Sequence, residues 1–307
     1  MSDHPAAAEL KASEFPDNDA RRRLAGLVGI DDLKERLAKS IELILDAKLL
    51  DRWTATKNEG KGELAAYFRK RQPLFLLVGD VGTGKTELAE TIGDLVARES
   101  DLPITLYRMS LSSRGSGLVG EMTKLITGAF DAVVGKAQNW KSKAGTRAGA
   151  ILLIDEADAL AQSRETAEMH HEDRAGVNAL IRGIDDLTRA QLPVVVLMAT
   201  NRLTAMDPAV RRRAADILEF KRPGPDERKT ILRSALGHAI PAAGIDDLVK
   251  MTGKHDGRIG FTYSDITQRL LPNILLRAIP DKTVSISLVH DVLKDMQPTP
   301  AFRDESH

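Results

Sequence analysis

Eight consecutive residues carry the strongest chemical signal in this chain. Gly79-Asp80-Val81-Gly82-Thr83-Gly84-Lys85-Thr86 follows the apolar run Leu74–Val78 and precedes a helical stretch, Glu87–Arg98. A glycine-rich loop between a strand and a helix can turn its backbone N–H groups inward, and the helix N-terminus adds a positive dipole end. Such a loop cradles phosphate. Lys85 would reach the β- and γ-phosphates of a nucleoside triphosphate, and Thr86 would offer a hydroxyl to Mg²⁺. The bland reading is a turn with an exposed lysine, and the flanking strand and helix count against it.

A second signal is the acid pair Asp155-Glu156, delivered by the apolar run Ile151-Leu152-Leu153-Ile154. Ligands of open α/β sheets bind at the C-terminal ends of the strands, where this pair falls. Asp155 would hold Mg²⁺ through water, and Glu156 would orient and polarise an attacking water. An acidic pair after a strand is commonly just a helix start; beside a phosphate loop it reads as chemistry. Asn201 ends the apolar run Val194–Met198 through Ala199-Thr200, where a side-chain amide could contact the γ-phosphate and the lytic water. Alone it would be a turn residue. Arg211-Arg212-Arg213 then precedes Ile217–Phe220. A solvated basic face is the ordinary reading. Its position after Asn201 suggests instead an arginine presented to a neighbouring subunit's γ-phosphate, Arg213 before Arg212.

The elements that must position these residues alternate along the chain. Leu74–Val78, Ile104–Met109, Ala150–Ile154, Val194–Met198 and Ile217–Phe220 read as short buried strands, and Glu87–Arg98, Val119–Val134 and Gly176–Ile184 as helices between them. Such alternation implies an α/β domain with a parallel sheet covered on both faces. Asp31–Leu50 carries a helical apolar stripe through Leu33, Leu37, Ile41 and Leu45, and Arg52–Gln72 reads as a charged connection. After Pro223-Gly224-Pro225 the strand signal ends and helices follow. The expected organisation is a flexible tail over 1–26, an α/β domain over 27–222, a helical domain over 223–296 and a disordered tail over 297–307.

Composition narrows the partners. Lys+Arg and Asp+Glu are both 44 in 307 residues, a balance that provides no global field for a polyanion and counts against nucleic acid. The absence of cysteine excludes disulfides and thiolate metal sites and points to a reducing, cytoplasmic compartment. No stretch approaches the ~20 apolar residues that span a bilayer, so no membrane is expected.

Phosphate loop, acid pair, Asn201 and arginine cluster, in this order, resemble the AAA+ ATPases over roughly residues 27–296. The resemblance implies an α/β AAA+ sheet of order 5-1-4-3-2 with a small C-terminal helical lid, ATP and Mg²⁺ as cofactors, and a homo-hexameric ring. Val28-Gly29 matches the family's adenine-contacting turn, and Gly260-Phe261-Thr262-Tyr263-Ser264-Asp265-Ile266 resembles its lid signature. The lid arginine of the family has no clear counterpart: Ser264 or Ile266 falls there, and Arg269 is a weak substitute. Leu118 and Val119 align with the pore loop that grips a threaded polypeptide, with Leu118 where relatives place an aromatic, and His170-His171 falls where a second pore loop would lie. Two adjacent histidines with no third ligand make a poor metal site.

Val177–Ile181 with Ile184-Asp185, and Arg213-Ala214-Ala215-Asp216-Ile217, are similar to the pachytene-checkpoint (thyroid-receptor-interacting) group. Members of that group open HORMA domains, and bacterial ones accompany cGAS-like nucleotidyltransferases in antiphage operons as minimal chains without an adaptor domain. A HORMA-domain protein is therefore the expected client. The alternatives are a Rubisco-activase-like remodeller or a DNA-acting clamp- or helicase-loader-type switch.

Overall fold

The computed structural model describes residues 10–55, 61–111, 121–142, 145–160, 170–255, 257–280 and 283–301. Contacts divide the chain into two compact units, one drawn from 1–24, 32–78 and 86–218, the other from 25–31, 79–85 and 219–307.

In the first unit the chain runs β1 (Lys11–Phe15), α1 (Asn18–Ala25), α2 (Asp31–Leu45), α3 (Ala47–Ala55), α4 (Lys61–Arg69), β2 (Leu74–Gly79), α5 (Lys85–Ser100), β3 (Ile104–Ser110) and α6 (Glu121–Ala137). A small hairpin, β4 (Lys141–Ser142) and β5 (Gly145–Thr146), precedes β6 (Gly149–Asp155), α7 (His170–Ala190), β7 (Val194–Thr200), α8 (Pro208–Arg211) and β8 (Ala214–Phe220). The six-stranded sheet has the order β1-β3-β6-β7-β2-β8. β3, β6, β7 and β2 pair in parallel, with Ser110 opposite Asp155 and Val78 opposite Thr200. Every residue of β6 and β7 is buried, which is why their sequences are continuous apolar runs rather than alternating ones. In-register parallel pairing brings Ser110, Asp155 and Thr200 to one edge of the sheet.

The flexible tail expected over 1–26 is corrected by β1 and α1. β1 adds antiparallel to β3, Lys11 opposite Arg108 and Phe15 opposite Ile104. Its signal in the sequence is thin because only Phe15 of its five residues is buried. The Phe15 ring seats against Gly93, where an added Cβ would come within 2.5 Å of it. Asp17 accepts from the N–H of Ala20 at 2.8 Å, a cap for α1, and its own N–H donates to Asp94 Oδ1 at 2.7 Å. Ala20 and Leu24 are buried. The connection expected over 52–72 contains the end of α3 and all of α4, and the helix expected over 176–184 extends to 170–190.

The second unit packs α9 (Pro225–Leu236), α10 (Ala242–Met251), a π-helical turn (Asp265–Leu270), α11 (Leu271–Ala278) and α12 (Ile286–Lys294) around Leu232, Leu248, Ile266, Leu270 and Val289. Pro225 and Pro272 both sit in the first turns of their helices, where a missing N–H costs no hydrogen bond. The tail expected over 297–307 is held at its start: Thr299 donates through its N–H at 3.0 Å and its hydroxyl at 2.7 Å to the buried Asp265. Among the described residues no helix is long and apolar enough to cross a membrane.

Candidate nucleotide site

The phosphate loop joins β2 to α5. Gly79, Gly82 and Gly84 have φ of 156°, 77° and 99°, the left-handed side that glycine adopts freely. Space adds a second constraint at two of them. A Cβ on Gly79 would lie 2.2 Å from the carbonyl oxygen of Phe220, and one on Gly82 would lie 2.8 Å from both Thr262 Oγ1 and Ser264 Cβ. The Ser264 N–H donates to the Gly82 carbonyl at 3.0 Å, so the Gly260–Ile266 signature packs directly on the loop. Lys85 is buried, and its Nζ donates to the carbonyls of Gly79 at 2.7 Å and Asp80 at 2.8 Å. Thr83 Oγ1 donates to Asp80 O at 2.8 Å. Val81 is exposed.

Arg222, just after β8, was not apparent from the sequence. Its Nε donates to Asp80 Oδ2 at 2.7 Å and its Nη1 to Gly260 O at 2.6 Å. It thus braces the second residue of the loop within the same compact unit. A lone arginine before Pro223 has no motif to mark it. Val28 packs against the helical core, and Gly29, at φ 74°, would place a Cβ 2.2 Å from Glu227 Cγ. Arg269 is engaged elsewhere: its Nη1 donates to Asp265 Oδ1 at 2.8 Å and to Gln297 O at 3.2 Å. Burial alone would push the Asp265 carboxyl up. Donors from Thr262, Thr299 and Arg269 outweigh it and hold the carboxyl below its ordinary value.

The acid pair lies in the sheet unit. Thr86 Oγ1 donates to Asp155 Oδ1 at 3.2 Å, and the same oxygen accepts the Glu156 N–H at 3.0 Å. Arg108 Nη2 donates to Asp155 Oδ2 at 3.0 Å. A hydroxyl beside a carboxylate is the hard-oxygen donor set that Mg²⁺ takes, so these residues fit that ion. Glu156 sits at φ 55°, a left-handed conformation that costs a non-glycine residue energy and recurs at functional sites. Its Oε2 accepts from Ser110 Oγ at 2.6 Å.

Asn201 is tied down by Asp158, a residue just beyond the acid pair. Asp158 accepts from Asn201 Nδ2 at 3.0 Å, from the N–H groups of Asn201 and Arg202 at 3.1 Å, and from the Thr200 hydroxyl. The spacing Asp155-x-x-Asp158 could have flagged it. Arg213 forks onto Asp185, Nε to Oδ1 at 2.9 Å and Nη2 to Oδ2 at 3.0 Å, and this pairing holds the Asp185 carboxyl below its usual range. Arg212 is exposed at the C-terminus of α8, which Asp207 caps through the Ala209 N–H at 2.7 Å. Leu118 and Val119 lie outside the described residues, and His170-His171 opens α7. Among the described residues no group of three or more His, Cys, Asp or Glu could hold a metal.

Residues 75–222 match the family model described as ATPase family associated with various cellular activities (AAA). The chain is 50% identical over 309 residues to CD-NTase-associated protein 6 of Escherichia coli strain MS 115-1, covering 99% of both. It also resembles a chain of the solved E. coli MS115-1 HORMA:CdnC:Trip13 complex, with TM-score 0.90, 49% identity and coverage of 97% of this chain and 99% of that one. The solved structure of Rhizobiales Trip13 matches with TM-score 0.73 and 40% identity, covering 94% of this chain and 98% of the other.

Proposed function

Because the chain belongs to the AAA family of ATPases, we propose that it works as a homo-hexameric remodeller of a HORMA-domain protein, restraining a cGAS-like nucleotidyltransferase in cytoplasmic antiphage defence. ATP hydrolysis is the chemistry of the family and of this chain. The observation that carries the client is the likeness to a chain solved together with HORMA and CdnC, at 49% identity over nearly the full length.

Each site residue has a role in this reading. Residues Gly79 to Thr86 cradle the phosphates, with Val28-Gly29 at the adenine. Thr86 and Asp155, the latter through water, would hold Mg²⁺, which would supply neutralisation of phosphate charge. Glu156 accepts a hydrogen bond from the attacking water and polarises it. Its bond from Ser110 engages one carboxylate oxygen and draws charge from the base. Asp158 holds Asn201, whose amide would contact the γ-phosphate. The arginine reaching across to a neighbouring copy is better assigned to Arg212, which is exposed, than to Arg213, whose fork is taken by Asp185. Leu275, Leu276 and Ile279 are 57%, 70% and 62% exposed around α11 and offer apolar surface for ring contacts.

Leu118 and Val119 would grip a terminal segment of the client. Loosening a chain edge requires less free energy than global unfolding, which suits a leucine in place of an aromatic. The test incubates a closed HORMA–peptide complex from the same operon with the protein and ATP, beside Leu118→Ala and Glu156→Gln variants. Peptide release that requires ATP, Leu118 and Glu156 is expected. A complex that stays intact while ATP is consumed overturns the client assignment.

A further inference from the structure

An unbroken run of charge connects the N-terminal helix to the acid pair. Arg23, in the last turn of α1, forks across α5: Nε to Glu87 Oε1 at 2.7 Å, and Nη2 to Glu87 Oε2 at 2.9 Å and Glu90 Oε2 at 2.6 Å. The other oxygen of Glu90 accepts from Arg108 Nη1, and Arg108 Nη2 reaches Asp155. Two arginines therefore share Glu90, and two carboxylates share Arg108. The Glu90 and Asp155 side chains are only 17% and 10% exposed, against 38% and 40% for Arg23 and Arg108. The acids are thus the shielded members, and salt screens the chain only in part.

We infer that Arg108 is a positioning residue for Asp155, and that α1, acting through Arg23 and Glu90, sets the response of the site to Mg²⁺. The inference rests on Thr86 and Asp155 as the magnesium side. The guanidinium of Arg108 pins Oδ2 of Asp155 and leaves Oδ1 toward the Thr86 hydroxyl. It also places positive charge beside the carboxylate that must attract a divalent cation. Arg23 competes with Arg108 for Glu90. When Arg23 is absent, Glu90 can offer both oxygens to Arg108 and draw it away from Asp155. The carboxylate then presents more of its charge to Mg²⁺. An N-terminal segment that merely caps the sheet has no such effect.

The test measures binding of a fluorescent ADP analogue to the full chain with Mg²⁺ and with EDTA, and takes the ratio of the two affinities. A general loss of fold divides out of that ratio. Arg108→Gln should raise it about fivefold, the order expected from losing one exposed ion pair, and Arg108→Lys, which keeps the charge without the fork, should fall between. Arg23→Ala should raise it about twofold and should add nothing in the Arg108→Gln background, because residues in one network are non-additive. An unchanged ratio in Arg108→Gln, or an Arg23→Ala effect that simply adds to it, overturns the inference. A wild-type affinity indifferent to Mg²⁺ would instead strike at the magnesium reading on which it rests.

Discussion

In the proposed reading Glu156 concentrates the chemistry in a single strained residue. It holds a left-handed backbone, donates its N–H to Asp155 and accepts a hydrogen bond from Ser110. Glu156→Gln keeps shape and hydrogen bonding but removes the charge that polarises water. It should bind ATP as the wild type does and hydrolyse it at least ~10²-fold more slowly, as read by phosphate release beside equilibrium binding. Ser110→Ala removes a competing donor from the carboxylate, so basal hydrolysis should rise, by up to about fivefold for one ordinary hydrogen bond. A fall in rate would mean that Ser110 orients Glu156 productively. Glu156 and Thr86 stood out as candidates because residue type and position in a motif coincide. The contacts of Ser110 and Arg108 could not be picked out, because they arise from parallel register, which leaves no local pattern, and Asp158 had only its spacing from Asp155 to mark it. The pairing of Arg213 with Asp185 left no mark in the sequence because the two lie 28 residues apart.

At the scale of elements, burial decided what could be read. β2, β6 and β7 were plain because strands covered on both faces must be apolar throughout. β1 was missed because an edge strand with one buried residue carries almost no hydrophobic signal. The phosphate loop was legible as motif, yet the reason for Gly82 is an interaction of elements: positive φ combined with the approach of Thr262 and Ser264. Gly82→Ala should therefore weaken nucleotide binding and lower the melting temperature together. Strain of about 1–3 kcal/mol is expected for a left-handed backbone with a crowded Cβ. Calorimetry and nucleotide titration would check it; full affinity with an unchanged melting curve would mean that the loop yields without cost.

For the molecule as a whole, the balanced charge seen in composition carries no account of assembly, and in the proposed ring Arg212 would act across a subunit interface. Mixing Arg212→Ala subunits with Lys85→Ala subunits, each inactive alone, should restore part of the ATPase activity, since some interfaces then join an intact loop to an intact arginine. No recovery in co-assembled rings would assign the arginines to their own chain. Replacing Arg213 should instead lower stability, since it leaves Asp185 without its fork.

The antiparallel β1 also has a consequence for biosynthesis. It leaves the ribosome well before its partner β3, which follows only after the whole of α1 to α5. At ~5–20 residues per second the nascent strand waits several seconds for its neighbour. Throughout that interval a bare sheet edge is in the making, and unpaired edges invite the wrong strand. The composition of the waiting segment suits the delay: Lys11, Ser13 and Glu14 alternate charge and polarity with a single aromatic, too little apolar surface to pair with a stranger. The poverty of signal that hid this strand from the sequence reader also hides it from misassembly during translation.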